Sequence, residues 1–246
     1  MTPRQPIHLR PTAELAERVL LPGDPGRALA LAQLLMEGPL MFNHHRGLWG
    51  YSGPAIADGR PLTIQSTGMG GPSAAIVLHE LIALGARRAI RVGTCGALDG
   101  ELELGDLVVA HESLAADGTS RTLGAGERIA ADRELSAALA SAADGIPSAT
   151  IVSTDLFYEH SSEREREWRA AGAVAVEMEA AALFAVGARA GVPVACVLAV
   201  SNVLGEDPAE QQDPRDPRAE QQEHIDDDAL LAAAETMGRA AVRALV

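Results

Sequence analysis

The sequence predicts a single α/β domain in which helices cover both faces of a mainly parallel or mixed sheet. The length of 246 residues suits one large domain of this class, and no low-complexity linker divides residues 1–246. Hydrophobic residues make up 47% and charged residues 22%, the composition of a globular protein with a full core. Short apolar runs alternate with helical stretches, which is the pattern of repeated strand–loop–helix units.

Each predicted element follows from local patterning. The strands are near-continuous apolar runs bounded by glycine or proline, and the last helix has apolar positions three and four residues apart. Pro72 and Gly85 mark the first turn and the end of one helix. In chain order, the sequence predicts strands within 18–27, 62–71, 88–98, 105–113, 148–154 and 192–200, helices within 28–37, 72–85, 132–143, 162–172 and 227–245, and a strand passing into a helix across 173–191.

The stretch from 205 to 228 differs from the rest because it is rich in acidic residues, glutamine and proline. It predicts a mobile surface loop, and its place after a strand makes a lid one interpretation. Plain disorder is an equally good interpretation of the composition. Arg215 and Arg218 within this stretch are candidates for a gating or activating contact to a ligand.

The charge balance excludes two classes of partner. The chain has 20 Lys and Arg against 34 Asp and Glu, a formal net charge of −14. Nucleic acids and anionic membranes need a basic surface, so neither is an expected partner. An anionic ligand would require arginines that are gathered locally.

Cysteine usage and the chain start favour a reducing, cytoplasmic location. Cys95 and Cys196 both lie in apolar segments without metal-ligand spacing, which predicts buried free thiols and no metal site. Residues 1–10 lack the apolar core of a signal peptide. The longest apolar tract, 180–200, is interrupted by arginine, glycine and proline, so a membrane span is not expected.

Three glycine-bearing strand ends, within 21–27, 66–73 and 91–98, are candidates for binding an anion through backbone N–H groups. None has the Lys-Ser/Thr of a P-loop or the full dinucleotide fingerprint, which disfavours ATP and NAD. Arg27 and Arg91 accompany two of these strand ends, and guanidinium groups bind phosphate bidentately. The alternative for a lone arginine is a solvated or surface-paired side chain.

Buried charge is predicted most strongly at two places. Arg91 lies inside an apolar strand, where a charge without a partner is costly. Glu177 and Glu179 flank Met178 in a segment rich in alanine and valine. These carboxylates are interpreted either as site groups that need partners or as solvated acids at a helix start.

An amide occupies a position where acid chemistry would be useful. The strand 192–200 ends at Ser201 and Asn202, and ligands of open α/β sheets bind at such carboxyl ends. Asn202 cannot supply a proton.

Seven ordered motifs resemble one family. They are LLPGDPGRA, RGLWGYSG, TGMGGPSAAIVLHEL, IRVGTCGAL, STDLFYE, VAVEMEAAALFAV and AVSN, and the resemblance runs from about residue 8 to residue 202. The chain is similar to purine nucleoside phosphorylases of the bacterial type that forms hexamers, whose superfamily also holds uridine phosphorylases and methylthioadenosine nucleosidases. The resemblance implies a three-layer αβα sandwich with a central mixed, partly barrel-like sheet.

The resemblance also implies a reaction and an assembly. Inorganic phosphate, the co-substrate, attacks the anomeric carbon of a purine ribonucleoside and yields the free base and ribose 1-phosphate, a step of purine salvage that needs no metal or other cofactor. The assembly would be a homohexamer, a trimer of dimers.

Site residues are carried over from the same resemblance. The implied phosphate site consists of Gly23, Arg27, Arg46, Arg91 and Thr94. The implied nucleoside site consists of His8, Met69, Phe157, Glu177, Met178, Glu179, Ser201 and Asn202. Catalysis would depend on Arg91, Glu179 and Asn202.

Several of these residues have specific implied roles. Arg46 would reach the phosphate of a neighbouring subunit, and His8 would reach the 5′-hydroxyl across the dimer interface. Glu179 would accept hydrogen bonds from the ribose hydroxyls while Met178 packs on the sugar. Phe157 would stack on or edge the base.

The chain departs from well-known hexameric members, which have Asp where it has Asn202. An asparagine donates a hydrogen bond but no proton, which suffices when the leaving base spreads charge onto an O6 carbonyl. We therefore expect inosine and guanosine to be better substrates than adenosine. The alternative is that Asn202 binds adenine as a donor–acceptor pair.

Three other functions are compatible with parts of the sequence. A uridine phosphorylase would usually have Gln and Arg near 155–158, and no such Gln is obvious there. A nucleosidase would lack the phosphate arginines. A catalytically weak nucleoside-binding protein would fit the missing acid at Asn202, but it would have little use for those arginines.

Overall fold

A computed structural model describes residues 6–146, 148–158, 162–204 and 224–246. The described strands are β1 Arg18–Leu21, β2 Leu40–Asn43, β3 Gly50–Pro54, β4 Pro61–Gln65, β5 Arg88–Ala97, β6 Leu107–Ala116, β7 Arg128–Ala130, β8 Ser148–Thr154, β9 Ala173–Glu177 and β10 Val194–Val203. The described helices are α1 Pro25–Leu35, α2 Gly71–Leu84, α3 Gly118–Thr122, α4 Arg133–Ala142, α5 Ser162–Ala170, α6 Ala180–Ala190 and α7 Asp227–Ala244, with a 3₁₀ turn at His45–Gly47.

All these strands belong to one mixed sheet. The path runs β10-β6-β8-β9-β5-β1-β4-β3-β2, with β7 added beside β6. Because β10 also pairs with β5, the strands β5, β10, β6, β8 and β9 close into a ring, and β1 to β4 form an open wing. The strand β5 is parallel to β1 and β10 but antiparallel to β9. The predicted mixed and partly barrel-like sheet is confirmed.

Helices cover both faces of the sheet because side chains alternate along each strand. In β5, Ile90 and Val92 pack with α1, α4 and α7 on one face. Ala89 and Cys95 pack with α2 and α6 on the other. The three-layer αβα arrangement expected from the resemblance is therefore confirmed.

Local signals explain where the helices begin and end. Asp24, Asp132 and Asp226 cap α1, α4 and α7 by accepting hydrogen bonds from backbone N–H groups. The helix α2 has Pro72 in its first turn and ends at Gly85, whose φ of 122° favours glycine. No helix in the described residues is long and apolar enough to cross a bilayer.

The structure differs from the sequence-based elements in two respects. The short elements β2, β3, β7 and α3 were not predicted, because three to five residues give too little periodicity. Strand β10 continues through Ser201 and Asn202 to Val203. Residues 205–223 of the predicted acidic loop, with Arg215 and Arg218, lie outside the described residues. The predicted last helix, within 227–245, is confirmed as α7, which begins at Asp227.

Candidate active site

The glycine loops meet at one edge of the sheet. Strands β1, β4 and β5 run parallel, so the loops that follow them come together at their carboxyl ends. The amide of Thr67 donates to Pro22 O at 2.9 Å, and that of Gly68 donates to Gly23 O at 3.0 Å. The two glycine-bearing loops that the sequence singled out separately are thus one paired structure.

Arg91 lies beside these loops, buried between two carboxylates. Its Nε atom is 2.9 Å from Glu177 Oε2, and its NH2 atom is 2.6 Å from Glu179 Oε2. Burial alone would lower the pKa of Arg91, but the carboxylates of Glu179 and Glu177 outweigh burial and raise it. The expectation that a buried Arg91 has partners is confirmed.

One nitrogen of this guanidinium is left over. The NH1 atom of Arg91 is buried and has no hydrogen-bond partner among the described residues. A buried donor without a partner is costly, and native proteins rarely keep one without a functional reason. A ligand atom that reached this nitrogen would supply the acceptor that the protein leaves out.

Glu177 is held inside the protein on both oxygens. It accepts hydrogen bonds from the hydroxyl of Ser153, from the amide of Glu179 at 2.8 Å and from the amide of Ala180 at 3.0 Å, besides the ion pair with Arg91. Burial raises the pKa of Glu177, and Arg91 opposes this shift. Glu177 thus bonds to the backbone at the start of α6 and fixes Arg91. Because it is buried, the interpretation as a solvated acid at a helix start is wrong.

Glu179 is tied less tightly. Its Oε1 atom accepts from the amide of Gly70, and its Oε2 atom accepts from Arg91. Each carboxylate oxygen has two acceptor sites, so both keep capacity for hydroxyl donors. Of the two acids, Glu179 is the one that can bind a sugar.

Two supporting residues escaped the sequence reasoning. A Cβ added to Gly93 would lie 2.6 Å from Arg91 Cζ, so the guanidinium folds over space that only glycine leaves. Ser153, fully buried in β8, bonds to Glu177 and lies 2.9 Å from the hydroxyl of Ser113. Gly93 lies in one of the seven motifs, where its glycine predicts flexible backbone; the sequence does not show that a side chain there would collide with Arg91.

Arg27, Gly23 and Thr94 surround the same edge. Asp24 caps α1 through the amide of Arg27 at 2.6 Å, which places Arg27 in the first turn. Burial lowers the pKa of Arg27; Asp24 raises it, and Arg91 lowers it further. The two guanidinium groups are thus close enough to repel, and an anion between them would relieve that repulsion.

His8 and the turn that carries Arg46 are joined by a different network. Glu80 on α2 accepts from His8 Nδ1 at 2.8 Å and from the amide of Leu9 at 2.7 Å. His45 Nδ1 is 2.9 Å from His8 O. Arg46 is exposed and has a φ of 61°, an uncommon conformation for a non-glycine residue and one that clusters at functional sites.

The loop that carries Arg46 is held by buried amides. Asn43 Nδ2 donates to Leu48 O, and Gln65 Nε2 donates to the same oxygen at 3.0 Å. Among the described residues, neither His8 nor Arg46 hydrogen-bonds to Arg91, Glu177 or Glu179. Their predicted contribution to a neighbouring subunit stays a prediction.

Ser201 and Asn202 form a bulged lip at the end of β10. The register with β5 shifts between Val200 and Asn202, so that Asn202 lies opposite Gly96. The hydroxyl of Ser201 is 3.2 Å from Asn202 Oδ1 and 3.2 Å from Cys95 O. With Oδ1 turned to Ser201, the amide nitrogen Nδ2 of Asn202 is the donor left for a ligand.

Apolar side chains complete the edge. Met69 is 87% exposed between Gly68 and Gly70, whose φ angles of 72° and 84° make the tight turn. Phe157 is 60% exposed and makes an edge contact with Tyr158 at 5.0 Å between ring centroids. Met178 is half-buried beside Glu177 and Glu179.

Neither the cysteines nor the possible metal ligands form a second reactive site in the described residues. Cys95 and Cys196 are free and buried, as predicted, and burial raises the pKa of Cys95 to about 12 and that of Cys196 well above its usual value. Both thiols are therefore protonated and unreactive at neutral pH. Within the residues that the structure describes, no group of three or more His, Cys, Asp or Glu could hold a metal ion.

Comparisons with known proteins agree with this geometry. Residues 17–244 match the Phosphorylase superfamily. The chain is 36% identical over 204 residues to a DeoD-type purine nucleoside phosphorylase of Clostridium novyi, covering 79% of this chain and 86% of that protein. A DeoD-type relative from Caldanaerobacter subterraneus is 36% identical over 198 residues, 78% of this chain and 84% of its own.

A third relative has a narrower name. The guanosine phosphorylase of Halorubrum lacusprofundi is 37% identical over 207 residues, which are 82% of this chain and 84% of that protein. The family resemblance drawn from the seven motifs is confirmed. With a matching family profile over most of its length and relatives above one-third identity, the chain belongs to the phosphorylase superfamily.

Proposed function

We propose that the protein catalyses the phosphorolysis of purine ribonucleosides to the free base and ribose 1-phosphate, a pentosyl transfer to inorganic phosphate. The observation that carries this proposal is the buried Arg91, fixed by two carboxylates and left with one unpartnered nitrogen at the edge where the glycine loops meet. The names of the relatives support the same reaction. No resident metal or other cofactor enters the proposal.

Phosphate would bind between Arg27 and Arg91. The NH1 atom of Arg91 and the guanidinium of Arg27 supply charge, while Gly23 and Thr94 supply the loop and strand end around it. Arg46 would come from a neighbouring subunit, since it is exposed and preset in its own loop. Holding the nucleophile in place removes much of the entropic part of the barrier.

Ribose would bind over Glu179. Breaking the glycosidic bond develops positive charge on the sugar, and hydrogen bonds from its hydroxyls to a carboxylate strengthen as that charge grows. The capacity left on Glu179, with Met178 beside it, fits this role. Glu177 would act through Arg91 rather than on the sugar, because its oxygens are already bonded.

The base would leave toward Asn202. Its amide can hydrogen-bond the purine N7 but cannot protonate it, so we propose that inosine and guanosine are preferred over adenosine. The guanosine phosphorylase relative supports this preference. The competing arrangement, in which Asn202 binds adenine as a donor–acceptor pair, predicts the opposite order.

A nucleoside panel tests the proposal. Purified protein is assayed with inosine, guanosine, adenosine and uridine, each with and without phosphate, and kcat/KM is compared. We expect phosphate-dependent cleavage with inosine or guanosine best. Uridine as the best substrate would make it a uridine phosphorylase, turnover without phosphate would make it a nucleosidase, and nucleoside binding without product would indicate a binding protein.

The assembly is proposed to be a homohexamer built as a trimer of dimers in the cytoplasm. The exposed positions of Arg46 and the Glu80-held His8 support it, because both would complete the site of a neighbouring copy. Light scattering gives the subunit number. Mixing an Arg46→Ala subunit with an Arg91→Ala subunit should restore some activity, because a dimer of the two variants contains one complete site.

A further inference from the structure

The segment before α7 returns to the lip of β10 and places a histidine opposite Asn202. His224 and Asn202 form an isolated antiparallel bridge, and the amide of Ile225 donates to Ser201 O at 2.9 Å. This histidine lies 22 residues beyond Asn202 in the sequence, at the end of the acidic stretch. Nothing in the motifs pointed to it.

The hydrogen-bond pattern fixes how the two side chains stand. A bond from the residue after His224 to the residue before Asn202 makes the two a non-hydrogen-bonded antiparallel pair. In such pairs the Cα atoms are about 4.5 Å apart and the side chains lie side by side on one face. The amide of Asn202 lies over Gly96, 3.2 Å from where a Cβ there would be, so the imidazole of His224 flanks that face.

The position of His224 is anchored, while its side chain is open to a ligand. The Cδ1 atom of Ile225, next along the chain, lies 3.7 Å from where a Cβ on Gly105 would be, and Asp226 caps α7 through the amide of Ala229 at 2.8 Å. The side chain of His224 itself is exposed. Among the residues that the structure describes, the contacts that hold His224 in place come from its main chain or its neighbours, which leaves the imidazole available to a ligand.

Two adjacent hydrogen-bond donors, on Asn202 and His224, would match the N7 and O6 edge of a 6-oxopurine. Guanine and hypoxanthine present two acceptors side by side, N7 and O6, whereas adenine presents an acceptor at N7 and a donor at N6. With Asn202 on N7, as in the proposed function, the neighbouring donor would face the 6-position.

We propose that His224 is a specificity-determining residue that donates a ring N–H hydrogen bond to O6 of the leaving base, beside the Asn202 bond to N7. The inference rests on the proposed function and deepens it. As the bond from C1′ to N9 breaks, its electron pair moves into the base and charge gathers on O6, so this hydrogen bond is stronger in the transition state than in the ground state. No proton is transferred, and the base leaves as an anion that solvent protonates.

The decisive experiment compares substrates with and without the 6-oxo group. Inosine and purine riboside, which has hydrogen at the 6-position, are assayed at saturating phosphate with wild type, His224→Ala and Asn202→Ala. We expect His224→Ala to lower kcat/KM for inosine about 10-fold and to leave purine riboside unchanged. This loss is below the roughly 100- to 1,000-fold typical of a buried donor because the position is solvent-exposed. Asn202→Ala should lower both, since both bases have N7.

Two further variants sharpen the test. His224→Gln keeps a donor on a flexible side chain and should recover part of the inosine activity. His111→Ala removes another exposed histidine, near the opposite end of β10, and should change neither substrate. Equal losses on both substrates, or no loss on inosine, would overturn the role of His224; failure of the wild type to cleave inosine with phosphate would instead overturn the proposed function.

Discussion

The two halves of the candidate site are built in opposite ways. The Arg91 half is a buried cluster in which two carboxylates, a serine hydroxyl and backbone amides fix one guanidinium. The Asn202 half is a bulged lip with half-exposed polar groups, an exposed His224 and an exposed Phe157. The residues proposed to bind phosphate and ribose thus lie in the rigid half. The residues proposed to select the base lie in the exposed half, where substitutions disturb the core less.

The largest effect is expected from removing the cation of the rigid half. Arg91→Ala leaves Glu177 and Glu179 buried without their cation, which typically costs about 3–5 kcal/mol of unfolding free energy, and it also removes the phosphate donor. We expect a clear loss of stability in denaturant titration together with loss of turnover. Arg46→Ala is the matched control: an exposed arginine should weaken phosphate binding with stability unchanged.

A pair of glycine variants separates the halves. Gly93→Ala puts a methyl group 2.6 Å from Arg91 Cζ, so the guanidinium must move at a cost of about 1–3 kcal/mol, and the KM for phosphate should rise. Gly96→Ala puts a methyl group 3.2 Å from the Asn202 amide and should change the ratio of inosine to adenosine activity instead. Identical kinetic effects from the two variants would contradict the division into halves.

Ser153→Ala is expected to have a smaller effect on the same half. It removes one hydroxyl donor from Glu177, and a hydrogen bond to a charged group contributes about 1.5–3 kcal/mol. Because Glu177 positions Arg91, we expect a higher KM for phosphate with base preference unchanged. Ser113→Ala removes only hydrogen bonds between uncharged groups, to the Ser153 hydroxyl and to Leu114 O, so it should cost less and leave the KM for phosphate near wild type.

The smallest expected effect is a change of preference at the lip. Asn202→Asp introduces a group that, when protonated, can give N7 a proton, so adenosine activity should rise relative to inosine. The protonated acid is required, and therefore the gain should grow as pH is lowered toward the pKa of the new carboxyl. A ratio that is flat across pH, or that moves toward inosine, would contradict the assignment of Asn202 as the group that limits purine choice.

Much of the rigid half could be predicted from the sequence because burial leaves a compositional mark. An arginine inside an apolar strand and two glutamates among alanines implied partners, and Arg91 pairs with both acids. Which acid supports and which is free to bind sugar could not be predicted, since that depends on the amides at the start of α6.

The open half was less predictable for a physical reason. Asn202 was found from its place after an apolar run, but its neighbour His224 depends on a chain return that no local periodicity encodes. Glu80 is similar: nothing in the α2 pattern indicates that it holds the segment around His8. Long-range pairing of single residues is where sequence reasoning fails in this fold.

The pairing of β5 has a consequence for hydrogen exchange. Along one edge, its residues from Ala89 to Ala97 pair with β10. Along the opposite edge, the start of β5 pairs with β1 and its last two residues pair with β9. Backbone amides so enclosed open only with the whole molecule, whereas those near His224 can open by local fraying. Deuterium should therefore enter the segment before α7 long before it enters the strand that carries Arg91, and bound base should slow the first uptake while leaving the second unchanged.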